Sequence, residues 1–175
     1  MRVYFLREFQ DSAGYQAFLA YMLRNSDVFS FTFCKRAEGE KTKKAIRLIA
    51  DRLKRFKISS RQTHQWPGTV SFDPYLYQLV YYRADEACLE VLKSRGGVYD
   101  WLYPEAPEDL CFYKNGYCWL ATTSHEKMGF LYTDNAAVVT ALKELGADLF
   151  RCDEDKEPVP AAYEQALQKY NRYQK

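Results

Sequence analysis

Residues 110–121 read LCFYKNGYCWLA, two largely apolar runs on either side of an Asn-Gly pair. The pair at Asn115 and Gly116 favours a type I′ turn, because both central residues of that turn need a positive φ. The stretch therefore predicts a β-hairpin with a two-residue turn. Its register places Phe112 opposite Trp119, which would form an aromatic cross-strand pair.

Further strands are predicted around this hairpin. Residues 128–132 follow it after a short polar loop, and we expect them to extend it into an antiparallel meander. Phe29, Phe31 and Phe33 alternate with polar residues, a pattern typical of a strand with one buried face. Residues 75–83 are apolar on both faces, as in a central strand.

Helical periodicity elsewhere predicts about five helices. The clearest begins at Thr42 and runs to about Phe56, with an apolar stripe at helical spacing. Residues 57–74 show no such period, so we predict a loop there. The chain is therefore expected to form a single α+β domain over residues 1–175. Its mixed sheet would have about six strands and include the C-terminal antiparallel meander.

The composition is typical of a globular protein inside the cell. Of the 175 residues, 47% are hydrophobic and 17% are aromatic, enough for a packed core. The N-terminus lacks a signal-peptide pattern, and no stretch approaches the roughly 18 apolar residues that cross a bilayer. The five cysteines have no metal-ligand spacing and are expected to be free thiols. We therefore expect a cytoplasmic protein with no membrane partner, no metal and no cofactor.

Charge is distributed unevenly along the chain. Residues 1–67 hold 14 Lys and Arg against 6 Asp and Glu, a net charge of +8. Residues 68–175 hold 11 against 17, a net charge of −6. The domain thus has a basic N-terminal subregion and an acidic C-terminal subregion. This asymmetry bears on binding partners, because a summed field steers anionic molecules toward one surface.

The helix predicted near residues 42–56 concentrates the positive charge on one face. Asp51 lies four residues from Arg47 and from Arg55, and we expect it to pair with them and neutralise the face in part. A solvated helix exterior would have the same pattern, so a structural interpretation stays open. The residues predicted to bind an anionic partner are Lys43, Lys44, Arg47, Lys54, Arg55, Lys57, Arg61 and Trp66.

Trp66 lies in the predicted loop, close to cationic and amide side chains. Side chains of these types contact phosphates and stack on bases. The same types also form the energetic hot spots of protein interfaces. Trp66, followed by Pro67, is equally consistent with an anchor that pins the loop to the core.

Three residues are weak candidates for catalysis: Cys118, His125 and Glu126. A thiol and an imidazole near each other can form a nucleophile pair when their geometry allows it. Polar connections of this kind are ordinarily turns, however, and free cysteine is among the most buried residue types. No phosphate-binding loop or nucleophile-elbow motif accompanies these residues.

The sequence therefore leads to three functional hypotheses. The first is a cytosolic, non-enzymatic protein of the protein-inhibitor or immunity-factor type. Its basic segment would engage an acidic or nucleic-acid-binding surface of a partner protein. The alternative is a nucleic-acid-binding accessory protein. The third is an enzyme that uses a Cys/His pair, and the oligomeric state stays open.

Overall fold

A computed structural model describes residues 1–34, 40–161 and 163–173. Strands within them are β1 (Val3–Phe9), β2 (Val28–Phe33), β3 (Lys57–Thr63), β4 (Gln65–Trp66), β5 (Thr69–Val70), β6 (Tyr77–Arg83), β7 (Glu108–Lys114), β8 (Tyr117–Thr123), β9 (Met128–Tyr132) and β10 (Ala147–Arg151). The α-helices are α1 (Ser12–Asn25), α2 (Glu40–Leu53), α3 (Leu89–Leu92), α4 (Ala136–Glu144) and α5 (Glu164–Tyr173). Short 3₁₀ helices cover Lys54–Phe56, Glu86–Cys88 and Ser124–Glu126.

Eight strands form one sheet in the order β10-β1-β9-β8-β7-β2-β6-β3, and β4 and β5 form a separate hairpin. The α+β prediction and the five helices are confirmed. The sheet is larger than the predicted one of about six strands, and its pairings are antiparallel rather than mixed. The largest difference is at residues 57–63, predicted as a loop, which pair with β6 as β3. A polar strand at a sheet edge has no apolar period that could reveal it.

The central strand β2 is buried on both faces. Ser30 and Thr32 are as inaccessible as Phe29 and Phe31, so the prediction of one buried face is wrong. The reason is that β2 lies in the middle of the sheet, between two layers of side chains. The Ser30 hydroxyl shares a hydrogen bond of 2.8 Å with the Tyr113 hydroxyl, which satisfies a buried polar group.

Two hydrophobic clusters cover the opposite faces of the sheet. The larger contains buried residues of α1, α2 and α3 packed against Phe29 and Phe112 of the sheet. The smaller contains Tyr81, Tyr113 and Trp66, together with side chains of neighbouring strands. This second cluster positions the hairpin β4–β5 against the sheet.

The hairpin β7–β8 forms as predicted. Asn115 and Gly116 have φ values of 50° and 80°, as a type I′ turn requires. The predicted pairing of Phe112 with Trp119 is wrong, because a register shift places Phe112 opposite Leu120. The Trp119 indole instead donates a hydrogen bond of 2.9 Å to the Ser26 hydroxyl.

Candidate functional site

Exposed cations lie along α2, the 3₁₀ helix that follows it and β3. We call them the basic edge: Lys44, Arg47, Lys54, Arg55, Lys57 and Arg61. The opposite side of this segment buries Ile49, Leu53 and Phe56 in the larger cluster. The amphipathic pattern therefore turns the cations toward water. Lys43, which belongs to the same prediction, lies outside the residues whose side chains are described.

The basic edge carries charge that carboxylates do not neutralise in the described part of the chain. Ion pairs there join Arg7 to Asp148, Arg83 to Asp85, Lys93 to Glu90, His125 to Glu126 and Arg151 to Asp155. These pairs contain no residue of the basic edge. The field of these cations is therefore available to a partner.

The expected pairing of Asp51 with Arg47 and Arg55 is absent from these ion pairs. The Arg55 guanidinium lies 4.6 Å from the centre of the Phe56 ring instead. The α-helix ends at Leu53, so Arg55 no longer lies one helical turn beyond Asp51. The carboxylate therefore leaves the charge of the basic edge largely intact.

A short acidic segment leaves the opposite edge of the sheet and passes beside the start of β1, where the Lys156 backbone N–H donates a hydrogen bond of 3.1 Å to the Met1 carbonyl oxygen. The strand β10 occupies that edge, and the exposed residues Asp153, Glu154, Asp155 and Glu157 follow it. Seven interstrand spacings separate β3 from β10, roughly 34 Å along the sheet.

Helix α5 adds cations that the sequence analysis did not associate with this segment. The Tyr170 hydroxyl donates a hydrogen bond of 2.6 Å to the carbonyl oxygen of Arg55, which docks α5 beside the basic edge. Lys169 and Arg172 are exposed on the same helix. They lie more than a hundred positions from Arg55 in the chain, so no local pattern could have linked them to it.

A groove of about 410 Å³ opens on the sheet face beside β3. Its walls come from β3, from the hairpin β4–β5 and from residues 159–161. Arg61 and Trp66 both line it, so the structure brings two predicted partner-binding residues into one concave site. Among the described lining residues, Arg61 is the one charged side chain.

Trp66 anchors the wall of this groove. Its side chain is 5% exposed, and the indole Nε1 donates a hydrogen bond of 2.7 Å to Oδ2 of Asp109. Asp109 also accepts bonds from the Ser124 backbone N–H at 2.7 Å and from the Thr69 hydroxyl at 3.5 Å. We call this set of bonds the Asp109 latch. It ties β4 and β5 to the sheet. Of the two interpretations that the sequence allowed for Trp66, a contact residue or an anchor, the structure supports the anchor.

Burial and hydrogen bonding oppose each other at Asp109. The residue is 1% exposed, and burial raises the pKa of its carboxyl above the ordinary value. The hydrogen bonds from Ser124 and from Trp66 lower that pKa part of the way. Asp109 therefore combines a costly desolvated carboxylate with donors that compensate it in part.

Arg61 and Tyr81 meet within the groove. Burial raises the pKa of Tyr81, and the Arg61 guanidinium lowers it part of the way through its charge and through hydrogen bonding. The Tyr81 ring is fixed by edge contacts with Tyr113, at a centroid distance of 5.4 Å.

The structure gives the weak catalytic candidates different surroundings. Cys118 is fully buried, and its thiol donates a hydrogen bond of 3.2 Å to the carbonyl oxygen of Leu120. Burial and the neighbouring Cys111 raise the pKa of Cys118, which favours the thiol over the nucleophilic thiolate. His125 and Glu126 are exposed in a 3₁₀ helix, with Nε2 and Oε1 3.9 Å apart.

The loop between β5 and β6 exposes apolar side chains that sequence reasoning missed. Phe72 is 96% exposed, and Tyr75 and Leu76 are also largely accessible. Val70, which lines the groove, begins this stretch. The prediction of a buried central strand over residues 75–83 is wrong at its start, because β6 begins at Tyr77 and leaves Tyr75 and Leu76 in the exposed loop.

No family model matches the sequence, and comparisons with curated proteins and with solved structures give no significant match. Within residues 1–34, 40–161 and 163–173, no group of three or more His, Cys, Asp or Glu side chains is arranged to hold a metal ion. In the same ranges, no helix combines the length and the apolar character needed to cross a bilayer.

Proposed function

We propose that this chain is a non-enzymatic binding protein that engages an acidic surface of a partner protein, in the manner of a protein inhibitor or immunity factor. One observation carries the proposal: the cations of the basic edge are exposed at one end of the sheet and form no ion pair with described carboxylates. Exposed cations of this kind would attract an acidic partner surface during encounter.

The surroundings of the basic edge supply contacts that charge alone does not. Exposed charges act mainly on association rate and on specificity, whereas aromatic anchors contribute most of the affinity of an interface. Phe72 and Tyr75 are exposed in the loop that continues from the groove wall. A partner surface with carboxylates around an apolar pocket would match this combination.

Charge reversal tests the proposal. A partner would be isolated from source cells on the immobilised protein, identified, purified and measured by calorimetry. A variant with Lys44→Glu, Arg47→Glu, Lys54→Glu and Arg55→Glu is expected to bind about 100-fold more weakly at low salt. Four exposed pairs at up to about 1 kcal/mol each account for a loss of that order.

The matched control reverses four exposed cations outside the basic edge: Arg24→Glu, Lys127→Glu, Lys143→Glu and Lys156→Glu. It changes the net charge by the same amount, so non-specific attraction falls equally in both variants. We expect the loss in log affinity of the control to be less than about a third of the loss in the first variant. Unchanged binding by the first variant, or equal losses in both, would contradict the proposal.

A nucleic-acid-binding role is the second candidate, and the exposed rings of Phe72 and Tyr75 favour it. Such rings stack on unpaired bases in single-strand-binding proteins. Salt discriminates between the two roles, since each neutralised phosphate steepens the fall of log affinity with log salt by about 0.9 on duplex DNA and about 0.7 on single strands. For this role we expect a slope of about −3 or steeper with a labelled oligonucleotide in a fluorescence titration. No binding at low salt would exclude it.

A further inference from the structure

The groove beside β3 combines a single positive charge with polar and apolar walls. We propose that it is a receptor for one acidic side chain on an extended segment of the partner protein, with Arg61 as the ligand of the carboxylate. This inference rests on the proposed function, because it assigns part of the partner's contact to a defined pocket. It goes further by naming the chemical group bound and the residue that binds it.

The charge of the groove selects the class of ligand. Arg61 is exposed, forms none of the ion pairs in the described part of the chain and is the one charged residue among the described lining. A guanidinium binds a carboxylate through two parallel hydrogen bonds. One cation balances one carboxylate, whereas a phosphate dianion would keep excess charge.

The lining also supplies neutral groups for the polar atoms around that carboxylate. The Tyr81 hydroxyl lies against Arg61, and Gln65 lines the same space. Asp109 lies behind Trp66 and does not line the groove, and its Oδ2 accepts the indole hydrogen bond. The Asp109 carboxylate is therefore turned toward the latch rather than toward the ligand.

The rim fits apolar residues on either side of the acidic one. Val70 and Val159 line the groove from two different segments, and both are exposed. The volume of about 410 Å³ lies within the range of small ligand pockets, about 300–1,000 Å³. The ligand we infer is therefore a short peptide segment rather than an isolated ion.

The position of β3 explains why the segment would be extended. β3 is the outermost of the described strands, so its outer edge can pair with an added strand. Alternate residues of β3 share a face of the sheet, and Arg61 and Thr63 are the two that line the groove. Lys57 and Arg61 on this edge disfavour a basic strand or a second copy of β3 and favour an acidic one.

A peptide titration tests the inference directly. The probe is a blocked hexapeptide, Ser-Val-Glu-Val-Ser-Thr, titrated into the isotope-labelled full chain and followed by two-dimensional NMR. We expect saturable shifts of the Trp66 indole, of Arg61 and of residues near Tyr81. The same peptide with Gln in place of Glu should bind at least 10-fold more weakly, because it cannot form the charged pair.

Substitutions of Arg61 supply the second readout. Arg61→Gln should lower the affinity for the Glu peptide at least 10-fold and remove the protein's preference for it over the Gln peptide. Arg61→Lys should retain part of that preference, because lysine supplies the charge without the bidentate geometry. The control Arg24→Gln removes an exposed arginine outside the groove and should change the affinity less than 2-fold.

Three results would overturn the inference: equal affinity for the Glu and Gln peptides, an unchanged affinity in Arg61→Gln, or shifts confined to α2. Its failure is distinguishable from failure of the proposed function. In one case, reversal of the α2 and 3₁₀ cations weakens binding of the partner, but Arg61→Gln does not change the affinity for the peptide. The groove assignment is then wrong and the proposed function stands. If the peptide results hold while the reversal has no effect on the partner, the proposed function fails and the carboxylate site remains.

Discussion

Replacing Asp109 with alanine is expected to lower the free energy of unfolding by about 2–4 kcal/mol, because two donors lose their acceptor in a buried site. The Trp66 indole N–H and the Ser124 backbone N–H both point at the Asp109 carboxylate, each at 2.7 Å. The site also has a φ of 56°, which alanine tolerates poorly. Urea unfolding at pH 7, followed by tryptophan fluorescence, measures the loss.

A matched carboxylate provides the control for this substitution. Asp134 accepts a hydrogen bond of 2.9 Å from the Arg2 backbone N–H, but it is exposed. Water replaces that acceptor when the side chain is removed, so Asp134→Ala should cost less than about 1 kcal/mol. Equal losses in the two variants would show that the Asp109 latch does not hold the hairpin to the sheet.

The pH dependence of Asp109→Asn gives the same residue a second readout. Burial raises the pKa of the Asp109 carboxyl in the folded state, so between the unfolded and folded pKa values the folded state binds more protons. The ionised group therefore costs stability at neutral pH, and that cost disappears as the pH falls through the folded pKa. Asparagine does not titrate. The stability of wild type relative to Asp109→Asn should therefore rise on acidification, and a flat difference would contradict the assignment.

The parts of the fold that depend on local chemistry were predictable from the sequence. Asn115 and Gly116 specify their turn through φ preferences alone, and the turn then fixes the two adjoining strands. The apolar stripe of α2 likewise predicted both its burial and the outward direction of its cations. Both inferences depend only on residues that are close together in the sequence.

The parts that depend on distant contacts were not predictable. β3 is a strand because it pairs with β6, and its own polar sequence gives no sign of this. The bond between Trp66 and Asp109 joins residues 43 positions apart, so no local pattern around either residue reveals it. The groove follows from both, since β3 and the latched hairpin form its walls.

Trp101 illustrates the same limit in the core. Nothing in its neighbourhood, between a glycine pair and two prolines, distinguishes it from a surface residue of a loop. In the structure it is fully buried in the larger cluster, with its ring centroid 4.4 Å from that of Phe31. Its carbonyl oxygen also accepts a hydrogen bond of 3.3 Å from the Asp109 N–H, which connects the core to the latch.

Trp101→Ala is accordingly expected to lower the free energy of unfolding by about 3–5 kcal/mol, more than Asp109→Ala. In the wild type, the Trp101 indole donates a hydrogen bond of 3.0 Å to the Tyr15 hydroxyl. The substitution removes this donor together with a large buried ring. Trp101→Phe keeps most of the volume and loses the same hydrogen bond, so it should cost only about 1–2 kcal/mol. Urea unfolding of both variants separates packing from hydrogen bonding. Equal losses would assign the stabilisation to the bond with Tyr15, and a loss below about 2 kcal/mol in the alanine variant would show that the cluster around Phe31 repacks.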